Sequence, residues 1–544
     1  MAACQPKTRR SSSPGTCLLA VLVFIAMTAG CAATRCAPGH AQVSFDLDSR
    51  VGHGLHPNPC GNTSIPNDIN LADGVTTDEA VAVALWNNAA FNATLTRLGM
   101  ARGDLLQAGL LRNPQFQVFL PGGSKQLEWA LFLPLDALLL RETRLDLSER
   151  EVCRIAEELT QNGVDLVRDV RVAHADLVFA VEQSALADEA VALREDIYDL
   201  TRKQLQAGDI SELESTTAQI ALKQAQAEAA GLKHGVAQAE SRLKQLMSIG
   251  MMPITLSPQS EATSIVLTHK LNDLIAEAAT SRPDLRAASF AYESAKKRAD
   301  LSRWQWLRFD VVADANSGGV GNSNFGSGFR FDVPIFDRNQ GGIQTADWSV
   351  TQARHNYNAM RDQVVADVQT SYAQYWQAEE NLNLLRSDVL TSLEEAVRLA
   401  GRAFANGGAS YFVVLQTSTQ YLDARVREIQ LSADLQRAAA NLDRSVGRNV
   451  TTQPRQPTLD NGTPFADVVE PAGFSENAPT ADEPNILILS KDGTALFNGS
   501  GNRKEVGAAL RRIAGQLEKM SEEDRLTGNR ADDLRNAINV GWQE

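Results

Sequence analysis

The sequence predicts a mainly α-helical protein that also contributes strands to a membrane β-barrel. Two pairs of short segments alternate apolar and polar residues, and each pair is followed by a very long heptad-like stripe that glycine interrupts. The two units are in register: Pro134 and Pro334 are separated by 334 − 134 = 200 residues, and Ser211 and Ser410 by 410 − 211 = 199. A strand–strand–long helical hairpin unit is therefore predicted to occur twice.

Composition narrows the classes of function. The 544-residue chain has a formal net charge of −14, which argues against a nucleic-acid partner because phosphate contacts need clustered Lys and Arg. After the first 30 residues no apolar run approaches the roughly 20 residues of a membrane-spanning helix. A membrane crossing would then have to be made by strands of a closed barrel.

Residues 1–30 are predicted to be an export signal, with basic residues ahead of an apolar segment at 17–27. The signal ends in Thr28-Ala29-Gly30-Cys31, which resembles a bacterial lipobox in which Cys31 receives the lipid. The lipobox pattern prefers Leu where this chain has Thr28, so ordinary cleavage after Ala41 is the alternative.

Residues 31–75 are predicted to form an N-terminal tether. Cys36 and Cys60 flank a polar stretch, and an oxidising periplasm would allow them to pair. His53 and His56 near Cys60 suggest a metal site only weakly, and a solvated tether is the favoured interpretation.

The first repeat is predicted at 76–250. It opens with an amphipathic helix capped by Thr77 and ending before Asn113-Pro114. Two strands follow, in which apolar residues such as Phe116 and Trp129 alternate with polar ones. A helix of about 100 Å is predicted from Arg141 to Gln206, at 1.5 Å per residue. It breaks at Gly208, and a second helix returns to Leu246.

The second repeat is predicted at 251–450. A helix from Leu271 leads to two strands at 309–313 and 329–333, whose polar positions carry charge. Pro334 is predicted to open the second long helix, which breaks at Asn406-Gly407-Gly408. A return helix runs to about Gly447.

Four strands per chain cannot close a barrel, so several chains must share one. The apolar strand faces suit lipid and the polar faces suit a water-filled lumen. The predicted lumen residues are Gln115, Gln117, Glu128, Arg308, Asp310, Asp314, Arg330 and Asp332.

These motifs carry a family resemblance over about residues 76–447. The run from Asn113 to Phe116, the doubled strand-to-helix entries at Pro134 and Pro334, and the doubled glycine tips together resemble the TolC-type outer-membrane efflux family. The resemblance implies a homotrimer with twelve shared strands and an α-helical tunnel, lipid-anchored in the outer membrane of a Gram-negative bacterium. It also implies docking to a periplasmic adaptor and an inner-membrane pump.

The resemblance further implies roles for the hairpin tips. Adaptor contacts would fall at Gly208, Asp209, Ser211, Gly407, Gly408 and Ser410, although the glycines are needed for the turns in either case. The closing aperture would fall at Tyr411, Val413 and Gln416. Family members with an acidic aperture carry Asp at positions matched here by Val413 and Gln416, so apolar closure by Val413 and Tyr411 is expected.

No catalytic constellation is evident: the sequence shows no nucleophile–base pair, P-loop or HExxH spacing, and no cofactor or metal is expected. The expected function is a passive, gated duct for drugs, metals or metabolites. The alternative is a periplasmic coiled-coil scaffold or adaptor lipoprotein without a pore, but an adaptor normally has a single hairpin.

Beyond the repeats, residues 451–484 are predicted to be a flexible linker, because Pro, Asn, Asp and Glu dominate. Residues 485–544 are predicted to form a small module, a β-hairpin followed by an amphipathic helix at about 506–517.

Overall fold

The computed structural model describes residues 37–56, 64–66, 69–71, 73–120, 122, 127–259, 267–318, 322–405, 408–451, 485–489 and 495–500. The chain divides into two compact units, residues 1–456 and 457–544. The predicted signal, the lipidation residue Cys31, the Cys36–Cys60 pairing, most of the predicted linker and the predicted C-terminal helix lie outside the described residues.

The first unit opens with α1, and the first repeat follows. The elements are α1 His40–Val51, α2 Thr77–Asn87, α3 Ala89–Gly109, β1 Gln115–Phe119, β2 Glu128–Pro134, α4 Asp136–Leu139, α5 Arg141–Ala207 and α6 Glu212–Leu246. Helix α1 lies within the segment predicted as a tether.

The first helix differs from the prediction in two ways. Its cap is Thr76, whose hydroxyl accepts from the Glu79 amide while the Glu79 carboxylate accepts from the Thr76 amide, so the predicted cap Thr77 is wrong by one residue. The single predicted helix is also two helices. Asn88 ends α2, and its side chain caps α3 by accepting from the Phe91 amide.

The predicted long hairpin is present in the first repeat. Helix α5 has 67 residues, about 100 Å at 1.5 Å per residue, and α6 packs back along it. Gly208 ends α5 in the left-handed region at φ 83°, which glycine enters without a Cβ penalty.

The second repeat has the same order of elements. They are α7 Leu271–Ser281, α8 Pro283–Trp304, β3 Phe309–Gly318, β4 Asn322–Phe331, α9 Gln340–Leu384, a π-helical segment Leu385–Leu390, α10 Thr391–Ala405 and α11 Tyr411–Val446. Pro334 does not open the long helix as predicted. Helix α9 begins at Gln340, after Asn339 at φ 60°, and the π-helical segment interrupts the rising arm.

The strands of both repeats form one antiparallel sheet in the order β1-β2-β3-β4. The strand ends that connect to helices all lie at the same end of the sheet, which we call the helix-bearing edge. Gln115 opens β1, Pro134 closes β2, Phe309 opens β3 and Phe331 closes β4 there. The opposite edge carries the two hairpin connections. One end of the sheet therefore continues directly into the helices.

Two apolar clusters support this arrangement. In the first, Leu47 of α1 is fully buried against α5, where a Cβ on Gly163 would lie 2.6 Å from its Cδ2 atom. The second cluster joins α7, α9 and α11 around the buried Tyr375 and Leu442.

In the second unit, the two segments predicted as a hairpin pair as antiparallel strands β5 Asn485–Leu489 and β6 Ala495–Ser500.

Candidate functional site

One face of the four-stranded sheet is polar. Residues paired across antiparallel strands point to the same side, so the register puts Gln117 of β1 and Asp314 of β3 in one row and Glu128 of β2 in the next. Six predicted lumen residues share this face: Gln115, Gln117, Glu128, Asp310, Asp314 and Arg330. The other two, Arg308 and Asp332, lie one residue outside β3 and β4.

A cross-strand ion pair occupies this face near the helix-bearing edge. The Arg330 guanidinium donates to Oδ2 of Asp310 at 2.6 and 3.0 Å and lies 4.3 Å from the centroid of the Phe132 ring. The pair neutralises the charge of Asp310 locally. Further along, Gly326 makes room for Asp314, because a Cβ there would lie 2.6 Å from Oδ1.

The other face of the sheet is apolar and aromatic. The Trp129 ring lies between those of Phe116 and Phe325, with ring centroids 6.0 and 6.3 Å apart. Phe309 stacks on Phe329 at 5.4 Å. Phe116, Phe325 and Phe329 are each about two-thirds exposed. An exposed aromatic face of this kind suits contact with lipid better than contact with water.

The first hairpin tip is held by backbone and side-chain caps. After Gly208, the Asp209 amide donates to the Gln204 carbonyl at 2.9 Å, the bond of a Schellman turn. Ser211 then caps α6, in a capping box with Glu214. The sequence interpretation missed this cap, although the spacing S-x-x-E at 211–214 is its signal.

The second tip has the same backbone turn without the side-chain cap. The Gly408 amide donates to the Ala403 carbonyl at 2.8 Å, the counterpart of the Asp209 bond 199 residues earlier. Gly407 lies outside the described residues. Ser410 is the N-cap of α11 but makes no side-chain cap bond. Val413 stands where the first tip has Glu214, so the second tip also lacks the carboxylate that completes a capping box.

The predicted aperture residues lie in the first turns of α11. Val413 is 42% exposed, and the neighbouring Phe412 is 68% exposed. Gln416 is also exposed, while the side chain of Tyr411 lies outside the described part of the chain. Val413 and Gln416 present no charge at this position.

A network of buried ion pairs joins the repeats, and the sequence interpretation did not find it. Arg282, only 1% exposed, donates to Oδ2 of Asp367 at 2.8 Å, and Arg444 donates to the same oxygen at 3.2 Å. Arg171 of the first repeat donates to Asp443 of the second at 2.7 Å. These partners are 77–272 residues apart in sequence, so no local pattern reports them.

Charge shifts follow from the burial in this network. Burial opposes ionisation of Asp367, but hydrogen bonds from Arg282 and Gln363, with the charges of Arg282 and Arg444, hold its pKa below the usual range. Burial raises the pKa of Asp443 despite its contact with Arg171.

Within the described residues, no group of three His, Cys, Asp or Glu side chains is arranged to hold a metal ion. None of the helices described there is both long enough and apolar enough to cross a membrane.

Comparison with known proteins gives a family match and several relatives. The family model described as outer membrane efflux protein matches residues 123–248 and 274–448. The cobalt-zinc-cadmium resistance protein CzcC of Cupriavidus metallidurans is 24% identical over 395 residues, which cover 69% of this chain and 91% of CzcC.

Solved structures share the fold. The outer membrane protein VceC of Vibrio cholerae is 16% identical and matches with a TM-score of 0.58, over 69% of this chain and 96% of VceC. CusC, from a study of transmembrane channel formation, is 18% identical with a TM-score of 0.60, over 72% of this chain and 97% of CusC.

Proposed function

The chain belongs to the outer membrane efflux protein family, and from that membership we propose that three copies form a passive duct that exports transition-metal cations. The family match and the shared fold confirm the predicted fold class and the predicted role as the outer-membrane channel of a tripartite efflux system. Trimer formation, the cargo and the contacts at the tips are the parts proposed here.

The sheet carries the proposal. It has one apolar aromatic face and one polar face, and its helix-bearing edge leads into two long hairpins. Four strands are too few to close a barrel, and twelve strands from three chains are sufficient. Closure would turn the aromatic face towards lipid and the polar face towards water. A scaffold without a pore gives no reason for a sheet with these two faces.

The proposed cargo is supported by the relative CzcC, a cobalt-zinc-cadmium resistance protein that matches along 91% of its length. The polar face of the sheet suits passage rather than retention of cations. Arg330 neutralises Asp310, and Glu128 and Asp314 lie in different rows. Separated carboxylates attract a hydrated cation without replacing its ligands, whereas a tight site needs several ligands converging on the ion.

The hairpin tips are the proposed docking sites for the periplasmic adaptor. Asp209 and Ser211 at the first tip and Gly408 and Ser410 at the second lie in matching turns. Energy for transport would come from the inner-membrane pump. Closure of the resting duct would rest on Val413 and Tyr411, without an acidic ring.

The experiment separates the pore from the cargo. The chain is expressed with its adaptor and pump in a Gram-negative host that lacks its own metal efflux. We expect an outer-membrane trimer, discrete conductance in planar bilayers, and lower cellular cobalt, zinc and cadmium than in cells with the pump and adaptor alone. A periplasmic species without conductance would contradict the duct. Conductance with unchanged metal content would contradict only the cargo.

Docking at the tips is tested by cross-linking. Cysteine at Asp209 or Ser410 should capture the adaptor in cells, and cysteine at the partly exposed Ser289 of α8 is the control away from the tips. Equal capture from Ser289 and the tips would contradict the docking site.

A further inference from the structure

Two segments of the first repeat meet beside the helix-bearing edge of the sheet. The end of α3 continues to Arg112, and the other segment runs from α4 into the first turn of α5. Nε of Arg141 donates to the Gly109 carbonyl at 2.8 Å, and Arg112 pairs with Asp136 at 3.4 Å. The contacts fix both segments directly next to strands β1 and β2.

Three arginines concentrate positive charge there. The pKa of Arg144 is lowered by burial and by the charges of Arg112 and Arg141, against the opposing charge of Asp136. Asp136 is buried, with 4% of its surface exposed. The other carboxylate between α4 and the first turn of α5 is that of Glu142. The three guanidiniums therefore outnumber the nearby carboxylates.

Their hydrogen-bonding capacity is largely unused. A guanidinium carries five N–H donors. Within the described residues, Arg112 donates to Asp136, Arg141 to Gly109 and Arg144 to the Ala137 carbonyl, at 3.4, 2.8 and 2.7 Å. Nε of Arg144 is buried without a hydrogen-bond partner, while the Arg112 side chain is 58% exposed.

Exposed leucines border the arginines on both segments. They are Leu106, Leu110, Leu111, Leu138 and Leu139, with exposures from 37% to 64%. Leucine beside arginine combines an apolar surface with donors that match phosphate oxygens, the combination that meets a lipid at the boundary between acyl chains and head groups. We call Arg112, Arg141, Arg144 and these five leucines the arginine patch.

We propose that the arginine patch binds the phosphodiester head group and upper acyl chains of an anionic phospholipid in the periplasm-facing leaflet of the outer membrane. The proposal rests on the proposed function, which places the sheet in the membrane and the helices in the periplasm. Under that orientation the helix-bearing edge of the sheet, where the patch lies, is level with the head groups of that leaflet.

The arginines of the patch are not repeated at the matching positions of the second repeat. At an offset of 199, Gln340 stands for Arg141 and Ile343 for Arg144. At the offset of the strand starts, 309 − 115 = 194, Trp306 stands for Arg112. The arginine patch therefore belongs to the first repeat of each chain, and a trimer has three copies of it.

The test measures lipid binding to the purified full-length protein in detergent, by native mass spectrometry with dioleoylphosphatidylglycerol. A basic residue near an anionic membrane surface contributes about fivefold in affinity. We expect Arg112→Gln to weaken binding about fivefold and the double variant with Arg144→Gln about 25-fold. Arg112→Lys should retain most of the affinity, because the charge remains.

Arg361→Gln is the matched control. Arg361 is 54% exposed on the body of α9 and, within the described residues, forms an ion pair with the neighbouring Asp362. Its loss therefore removes the same charge at similar exposure. Dioleoylglycerol, which lacks the phosphate, should bind weakly and equally to all variants.

Equal phosphatidylglycerol affinity for wild type, Arg112→Gln and Arg361→Gln would overturn the proposal. So would dioleoylglycerol binding as tight as that of phosphatidylglycerol. Displacement of the lipid by millimolar inorganic phosphate would also overturn it, because it would indicate a plain anion site. A conducting wild type with such a result leaves the proposed function standing. A wild type that forms no pore contradicts the proposed function. The phosphatidylglycerol affinities measured in detergent still test the arginine patch in that case.

Discussion

Replacing Arg282 by Met should destabilise the second repeat far more than a typical arginine substitution. Arg282 is 1% exposed, and it donates to Asp284 at 3.0 Å, to Asp367 at 2.8 Å and to the Ser445 carbonyl at 3.1 Å. Methionine fills much of the space but donates no hydrogen bond to these acceptors. The perturbation is therefore electrostatic more than steric.

The expected loss of unfolding free energy depends on the donors that Asp367 keeps once Arg282 is replaced. Removing one partner of a buried ion pair costs about 3–5 kcal/mol. Arg444 still donates to Asp367, whose side chain is 20% exposed, so we expect about 3 kcal/mol, the lower end. Arg361→Met, at the exposed pair with Asp362, should cost about 0–1 kcal/mol.

The assay is urea unfolding of both variants at fixed protein concentration, followed by far-ultraviolet circular dichroism. It also has a pH arm. Because the folded-state pKa of Asp367 is depressed, its contribution is present above the unfolded pKa and is lost as pH falls through the folded pKa. The difference between wild type and Arg282→Met should therefore shrink in acid. Equal destabilisation by Arg282→Met and Arg361→Met, or a difference independent of pH, would refute the reasoning.

Further substitutions probe the tips and the anchor. Ser211→Ala should cost about 1 kcal/mol by removing the cap of α6, whereas Ser410→Ala should cost little because Ser410 makes no cap bond. An equal increase over wild type in the rate of amide hydrogen exchange at the two tips would contradict this. Val413→Glu should create a capping box with Ser410 and slow amide hydrogen exchange at the second tip. It should also make the conductance more cation-selective, and an unchanged reversal potential would count against Val413 as an aperture residue. Cys31→Ala should abolish incorporation of labelled palmitate, and persistent labelling would place the lipid elsewhere.

Features that depend on neighbouring residues were predictable from the sequence. Gly208 ends α5 and Gly447 ends α11 in the left-handed region, as their places after long apolar stripes indicated. The alternation in the strands correctly placed six lumen candidates on one face. Even the misplaced cap was decidable, because Glu79 stands three residues after Thr76 and only two after Thr77.

Features set by contacts between distant segments were not predictable. Residues 31–75 are polar enough to suggest a tether, yet α1 buries Leu47 against Gly163, more than 100 residues away. The π-helical segment Leu385–Leu390 contains neither glycine nor proline to mark it in the sequence. Its Arg386 pairs with Glu428 of α11, a partner that no periodicity along α9 reveals.

The two repeats use different side chains to hold the break before the strands against the end of the return helix. In the first, Asn88 breaks the helix before the strands, and its amide donates to the Leu246 carbonyl at 2.8 Å. In the second, Arg282 breaks the helix, and its guanidinium donates to the Ser445 carbonyl.

These two carbonyls are equivalent, since 445 − 246 = 199, the offset that relates the tips. The break must bring each pre-strand helix against the end of its own return helix, and any donor of suitable reach serves. Arginine reaches further and also pairs with Asp367 on α9, so the second junction gains charge that the first lacks. The duplication therefore constrains the position of the break and the acceptor, and leaves the donor free to differ. This is why Pro, Gly and Ser landmarks reveal the repeat in the sequence while the side chains that hold it together do not.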